Sequence, residues 1–167
     1  YGFIHAAGVL HPGPYIWELS EEKFREVVGA SVKAAYQMIG AALPPLRKQG
    51  EGLAVFFGSG AAETNTAGIG AYCVAKAGEE HLARQLAVEA PEITTLIYRP
   101  GVVETRMQKQ ARESEGGGAE VVRRKFWGYK KQGELITPEQ AAEALVNILN
   151  NPRRFHGRVA TWRDGSR

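Results

Sequence analysis

Residues 53–59 read Leu-Ala-Val-Phe-Phe-Gly-Ser: five consecutive apolar side chains that stop at a glycine and deliver a hydroxyl. A run this short and without polar alternation fits a strand buried on both faces, as strands of parallel sheets are. The small-residue stretch from Gly58 to Gly70 is then the loop the strand feeds. From Ala71, the residues Ala75, Leu82, Leu86 and Val88 keep helical spacing until Pro91, where a helix has to stop. Ile93-Thr-Thr-Leu-Ile-Tyr98 repeats the apolar run and ends at Arg99-Pro100-Gly101.

Upstream, Tyr1-Gly-Phe-Ile-His-Ala-Ala7 is a further short strand closed by Gly8, followed by a loop over 9–18 punctuated by Pro12, Gly13 and Pro14. Ser20 with Glu21 and Glu22 starts a helix, the hydroxyl as N-cap and the carboxylates facing the positive end of the dipole. Phe24, Val27, Val28, Val32, Ala35, Tyr36, Ile39 and Leu43 carry that helix to about Leu46. Strand, helix, strand, helix, strand in this rhythm predicts right-handed βαβ crossovers and a parallel sheet, an α/β fold of three layers.

Downstream, residues 105–135 are less regular, broken by Gly116-Gly117-Gly118, and are expected to form a lid or substrate loop. Thr137-Pro138-Glu139-Gln140 combines an N-cap, a first-turn proline and a capping-box glutamine, opening a helix to about Leu149. Gly157-Arg-Val-Ala-Thr-Trp162 completes the pattern as a last strand, with no internal repeat and no second domain.

The 167 residues, 44% of them hydrophobic, suffice for one core. No apolar run approaches the ~18–20 residues of a membrane span, so a soluble protein is expected. The single cysteine, Cys73, permits no intrachain disulfide, which fits a reducing, cytoplasmic setting; packing is its expected role. The net charge of +3 is small, and Arg123-Arg124-Lys125 and Lys130-Lys131 are interrupted by aromatics, as on an amphipathic helix. Neither nucleic acid nor membrane is an expected partner. His5, His11, His81 and His156 have no metal-ligand spacing, so no metal site is expected.

Tyr72 and Lys76 lie four apart near a helix start, hence on one helix face. Ser59 and Pro100-Gly101 fall at strand ends, on the edge where open α/β sheets place ligands. A phenol with a pKa near ~10 exchanges protons poorly at neutral pH, and a nearby ammonium stabilises its ionised form. Ser59 is placed to hydrogen-bond an oxygen on which charge develops.

The spacing Ser59, Tyr72-Cys-Val-Ala-Lys76 and Arg99-Pro100-Gly101-Val-Val-Glu-Thr105 resembles the short-chain dehydrogenase/reductase family, from Tyr1 to about Trp162. Gly-Ala-Ala-Leu-Pro at 40–44 and Arg-Pro-Gly-Val-Val at 99–103 are similar to carbonyl reductases of the sepiapterin-reductase-like type. The resemblance implies a Rossmann-type, doubly wound parallel sheet and hydride transfer between NAD(P)(H) and a small carbonyl or alcohol. Tyr72 would be the general acid or base and Ser59 would orient the substrate oxygen. Lys76 would tune Tyr72 and hold the nicotinamide ribose. Pro100, Gly101, Val103 and Thr105 would cradle the nicotinamide amide, and Ala6, Ala7 and Gly8 would pass the adenine side. The implied cofactor is NADP or NAD, with NADP favoured by resemblance alone, and the implied assembly is a homodimer or homotetramer.

Two positions depart from the family pattern. His5-Ala6-Ala7-Gly8 stands where the family has Asn-Asn-Ala-Gly, and Ser31 stands where an Asn of the long helix supports a water chain to the lysine. The Gly-rich pyrophosphate turn and the residue that selects NAD or NADP are also missing, and neither Gly58-Ser-Gly60 nor Gly68-Ile-Gly70 replaces the turn. The chain is thus expected to be the C-terminal part of a single NAD(P)-binding domain, lacking the first βαβαβ part, and on its own to be poorly stable or inactive. The rival expectation is a catalytically inactive fragment or paralogue acting as an oligomerisation module. An epimerase or dehydratase on the extended scaffold would need a longer chain.

Overall fold

The computed structural model describes residues 1–166. Four strands, β1 (Gly2–His5), β2 (Gly52–Phe57), β3 (Ile93–Arg99) and β4 (Val159–Thr161), lie in the order β1-β2-β3-β4, every pair parallel. The register aligns Ile4 with Val55 and Val55 with Leu96, then His5 with Phe56 and Phe56 with Ile97. Strand alternation then sorts the apolar runs between two faces. Phe3, Ala54, Phe56, Ile93 and Ile97 pack under helices on one side, and Leu53, Val55, Phe57, Leu96 and Tyr98 under a helix on the other. Each fully buried side chain among them contributes about 1.5–3 kcal/mol through burial, which is why runs without polar residues became the sheet.

On the first face lie α1 (Glu21–Val28), α2 (Ala34–Gln49) and α3 (Gly70–Glu89). The expected single helix from Ser20 is one continuous path, and the Ser20 hydroxyl accepts the Lys23 N–H at 3.3 Å. Its middle, Gly29–Lys33, is widened into a π turn in which the Ala34 N–H reaches back to the Gly29 carbonyl. A single such turn shifts the register of the side chains that follow it, a feature often found at functional sites. Leu46 of α2 and Ala83, Leu86 and Ala90 at the end of α3 close the core over Phe56 and Ile97.

The other face is covered by α6 (Pro138–Leu149), whose Leu145 and Ile148 meet Val55, Leu96 and Tyr98. The Thr137–Gln140 capping box opens this helix as its sequence predicts. Because β4 continues the sheet in the same direction while α6 lies on the opposite side from α2 and α3, the last crossover has the opposite hand to the first two. The connection from β3 to β4 is long enough to carry the chain over the sheet edge before α6 begins.

The stretch 105–135 is not the irregular loop its glycines suggest. It contains α4 (Arg106–Arg112) and α5 (Ala119–Lys131). The glycines between them form a dock: the Gly118 N–H donates to the Gly13 carbonyl at 2.8 Å, and the Gly13 N–H to the Gly68 carbonyl at 2.7 Å. A Cβ on Gly118 would stand 2.5 Å from the backbone nitrogen of Gly68, so the close approach requires glycine there. The last strand is also shorter than expected, ending at Thr161, because the Asp164 carboxylate accepts the Thr161 N–H at 2.8 Å and starts the turn α7 (Trp162–Gly165). Among the described residues, no helix is long and apolar enough to cross a membrane, and no group of His, Cys, Asp and Glu could hold a metal ion.

Candidate active site

The carboxyl ends of the strands open into a cavity of about 1050 Å³. Three segments bring the expected polar residues to it: the loop after β2 supplies Ser59, the first turns of α3 supply Tyr72 and Lys76, and the loop after β3 supplies Pro100, Gly101, Val103 and Thr105. Ala6 and Gly8, just past β1, also line it. Ala7 and Ser31 do not. Ala7 is turned to the surface, and Ser31 is fully buried in the π turn, its Oγ without a hydrogen-bond partner among the described residues.

Helical spacing does what the i, i+4 relation predicts: the Lys76 ammonium lies 5.8 Å from the Tyr72 ring centroid. Lys76 reaches this place along a buried path, only 4% of the residue being exposed. Its Nζ donates to the Phe57 carbonyl at 2.8 Å and to Glu79 Oε2 at 2.8 Å. The second oxygen of Glu79 meets Nδ1 of His5 at 2.9 Å. Glu79 is completely buried, and so are its two partners to within a few per cent.

Ser59 is held by a different carboxylate. Its backbone N–H donates to Glu80 Oε1 at 3.1 Å, and its Oγ accepts the Ala61 N–H at 3.2 Å, capping a turn of 3-10 helix over Gly60–Ala62. With one lone pair occupied, the hydroxyl keeps its proton to donate into the cavity, and accepting a hydrogen bond strengthens that donation. Glu80 also binds Arg99 at the end of β3 and Arg84 one turn along α3. Arg99 in turn reaches Glu63 at 2.8 Å, and that hydrogen bond, followed by the guanidinium charge, lowers the Glu63 carboxyl below its ordinary 4.5. The hydrogen bonds that Arg99 donates to Glu80 and Glu63 push its guanidinium up in turn.

Gly101 has φ +84, and a Cβ there would sit 2.5 Å from Cδ1 of Trp162. The indole lies against the glycine, so the Pro100–Thr105 wall is backed by the first residue of α7. Leu10, Ile69, Met107 and Phe126, which cluster together, give the cavity an apolar patch. Tyr129 joins them, its phenol pushed up chiefly by burial and secondly by Glu134. Trp127 does not join them. It is 43% exposed, flanked by the Arg112 and Lys130 cations at 5.7 and 5.5 Å.

Glu79, Glu80 and Arg99 carry much of this geometry and were not singled out by sequence reasoning. A signal existed. Ala75, Glu79, Ala83 and Leu86 follow helical spacing, and all four are buried, so Glu79 occupies a core position of α3.

Residues 2–116 match the family model described as short chain dehydrogenase. Among known proteins, an uncharacterised oxidoreductase of Schizosaccharomyces pombe is 32% identical over 163 residues, covering 94% of this chain and 64% of the relative. A benzil reductase ((S)-benzoin forming) of Bacillus cereus is 35% identical over 60% of this chain and 42% of its own. A sepiapterin reductase of Meriones unguiculatus is 37% identical over 49% and 30%. The crystal structure of a short-chain dehydrogenase/reductase from Saccharomyces cerevisiae superposes with a TM-score of 0.85 at 27% identity, covering 98% of this chain and 66% of that one. The chain therefore spans slightly less than two thirds of the length of the first of these relatives.

Proposed function

Because this chain belongs to the short-chain dehydrogenase family, we propose that it carries the substrate-side half of an oxidoreductase site that transfers a hydride between NAD(P)(H) and a small carbonyl or alcohol compound. The observation that carries this reading is the convergence of Ser59, Tyr72 and Lys76 with the Pro100–Thr105 wall on one cavity.

The residues present fit the nicotinamide half of such a cofactor. Lys76 has three ammonium donors, of which Phe57 and Glu79 take two, leaving one for a ribose hydroxyl. Pro100, Gly101, Val103 and Thr105 offer backbone and hydroxyl groups for the carboxamide, and Ala6 and Gly8 leave room beside them. When bound, the cofactor supplies the hydride that no side chain can. In carbonyl reduction Tyr72 gives its hydroxyl proton to the substrate oxygen, while Ser59 donates a hydrogen bond to the same atom as charge develops there. Lys76 stabilises the resulting phenolate. In alcohol oxidation the same proton runs the other way. NADP is favoured over NAD by family resemblance only.

The apolar wall of Leu10, Ile69, Met107 and Phe126 supports a carbonyl flanked by flat or apolar groups, in line with the benzil and sepiapterin reductases among the relatives. A homodimer or homotetramer is supported by Tyr36 on α2 and Val74 on α3, which stand 66% and 51% exposed. The test is oxidation of NADPH and NADH by the full-length protein with benzil and with sepiapterin. Turnover that falls by about 10²–10⁴-fold in Tyr72→Phe sustains the reading. Turnover unchanged by that substitution, or none at all with a correctly folded protein, moves the interaction-module reading to first place.

A further inference from the structure

Nothing in the proton transfer proposed above requires a carboxylate behind Lys76, yet Glu79 stands there with no solvent contact at all. A buried carboxylate is costly unless both oxygens are satisfied. Here one oxygen takes the ammonium at 2.8 Å and the other faces His5 Nδ1 at 2.9 Å. Since a carboxylate can only accept, Nδ1 of His5 is the donor in this pair, and Nε2 is buried without a partner among the described residues. His5 is also the residue that stands where the family pattern has the first Asn of its strand-end motif. It ends β1, whose register sets it beside Phe56 on the face that α3 covers. The departure at His5 and the carboxylate on the buried stripe of α3 thus meet in space.

We infer that Glu79, oriented by His5, is a positioning residue that fixes the Lys76 ammonium so that it presents a single N–H to the cavity beside Tyr72. The carboxylate and the Phe57 carbonyl hold two of the three ammonium donors, which sets the direction of the third. The long lysine stem would otherwise be free to change rotamer. The His5 N–H prevents the carboxylate from rotating away. The inference rests on the proposed function for its catalytic consequence, but its structural half concerns Lys76 alone.

The experiment uses the full-length protein and three variants, Glu79→Gln, Glu79→Asp and His5→Asn, each measured well below its melting temperature. The first readout needs no turnover: the rate at which acetic anhydride acylates Lys76 in the protein without cofactor, followed by peptide mass spectrometry. Glu79→Gln is expected to be acylated roughly tenfold faster, because the lysine stem, no longer held by the carboxylate in its buried path, can swing out to meet the reagent. The second readout is the split between kcat and the substrate KM. In Glu79→Gln, kcat is expected to fall on the order of 10–100-fold, the scale on which small misplacements cost rate, with substrate KM changed little. Glu79→Asp, which keeps the charge, should recover part of both effects, and His5→Asn should show both in smaller measure even where Glu79→Gln does not fold. Acylation and kcat within twofold of wild type in the folded variants would reduce the trio to packing and overturn the inference. Altered acylation alongside turnover insensitive to Tyr72→Phe would leave the clamp on Lys76 standing and remove the proposed reaction instead.

Discussion

Arg99 grips Glu80 with two parallel donors, Nε to Oε1 at 2.8 Å and Nη2 to Oε2 at 2.7 Å. This fork ties the end of β3 to the middle of α3, and Glu80 uses what remains of its acceptors on Ser59 and Arg84. A glutamine cannot accept from all four donors, and its amide would face cations. Glu80→Gln is therefore expected to lower stability by about 3–5 kcal/mol, the cost of breaking a buried ion pair from one side. For a domain of this size that is a fall of roughly 10 °C in Tm. Calorimetry checks it, and a fall under about 2 °C would show that the network adds little beyond what water offers the same groups.

At Gly101 two costs of substitution coincide, a left-handed φ of +84 and an indole 2.5 Å from where a Cβ would sit. Gly101→Ala should destabilise by about 1–3 kcal/mol. The two costs separate in a double-mutant cycle with Trp162→Ala. Removing the indole leaves only the backbone penalty of about 1 kcal/mol, so the two substitutions should couple favourably. Additive effects would mean the indole moves aside freely.

Tyr98 donates its hydroxyl to the Ala141 carbonyl at 2.6 Å, joining β3 to α6, and burial pushes its phenol from 10.0 up to about 12. The sign follows from linkage. A raised value in the fold means that the contribution is complete below pH 10 and is lost as pH rises towards 12, because the unfolded phenol ionises first. Tyr98→Phe should cost about 1 kcal/mol near neutrality, the net worth of one buried hydrogen bond, since the Ala141 carbonyl keeps its helical partner within α6. It should also flatten the loss of stability above pH 10. Urea unfolding of both proteins at pH 8 and pH 11 would show their stabilities converging, and parallel pH dependences would contradict the assignment.

Much of the architecture was legible because its signals are local. Apolar runs too short for helices gave β2 and β3, and the Thr137–Gln140 box marked the start of α6 to the residue. The features that escaped depend on partners remote in sequence. Gly116-Gly117-Gly118 reads as a helix breaker from its neighbours alone, while its purpose is the dock against Gly13 and Gly68. The π turn has no proline or insertion to announce it. At the site, Ser59, Tyr72, Lys76 and the Pro100–Thr105 segment, which motif spacing singled out, line one cavity. That spacing could not place Ala7 or Ser31, because whether a residue beside a motif lines the cavity depends on which way the backbone turns after β1 and inside the widened turn. Glu79 and Glu80 look like a solvated pair until the stripe through Ala75, Ala83 and Leu86 shows that they point inward.

Phe126 and Trp127 make this point testable, since these adjacent aromatics on α5 meet different surroundings. Phe126 lines the cavity and packs with Leu10, Ile69 and Val122. Trp127 lies between two cations on the outer surface. If the proposed carbonyl reduction holds, Phe126→Ala should raise KM for benzil, used as an apolar test ketone, by about tenfold, because a bound substrate would no longer have the phenyl ring to cover its apolar face. It should also cost about 1–3 kcal/mol in stability, because the half-buried ring packs against Leu10, Ile69 and Val122. Trp127→Ala should leave KM within twofold of wild type and cost under about 1 kcal/mol, the scale of exposed cation–π pairs. Steady-state kinetics and urea unfolding of the two variants decide it: equal effects on KM would mean that α5 rotates when substrate binds, bringing Trp127 to the cavity wall in place of Phe126.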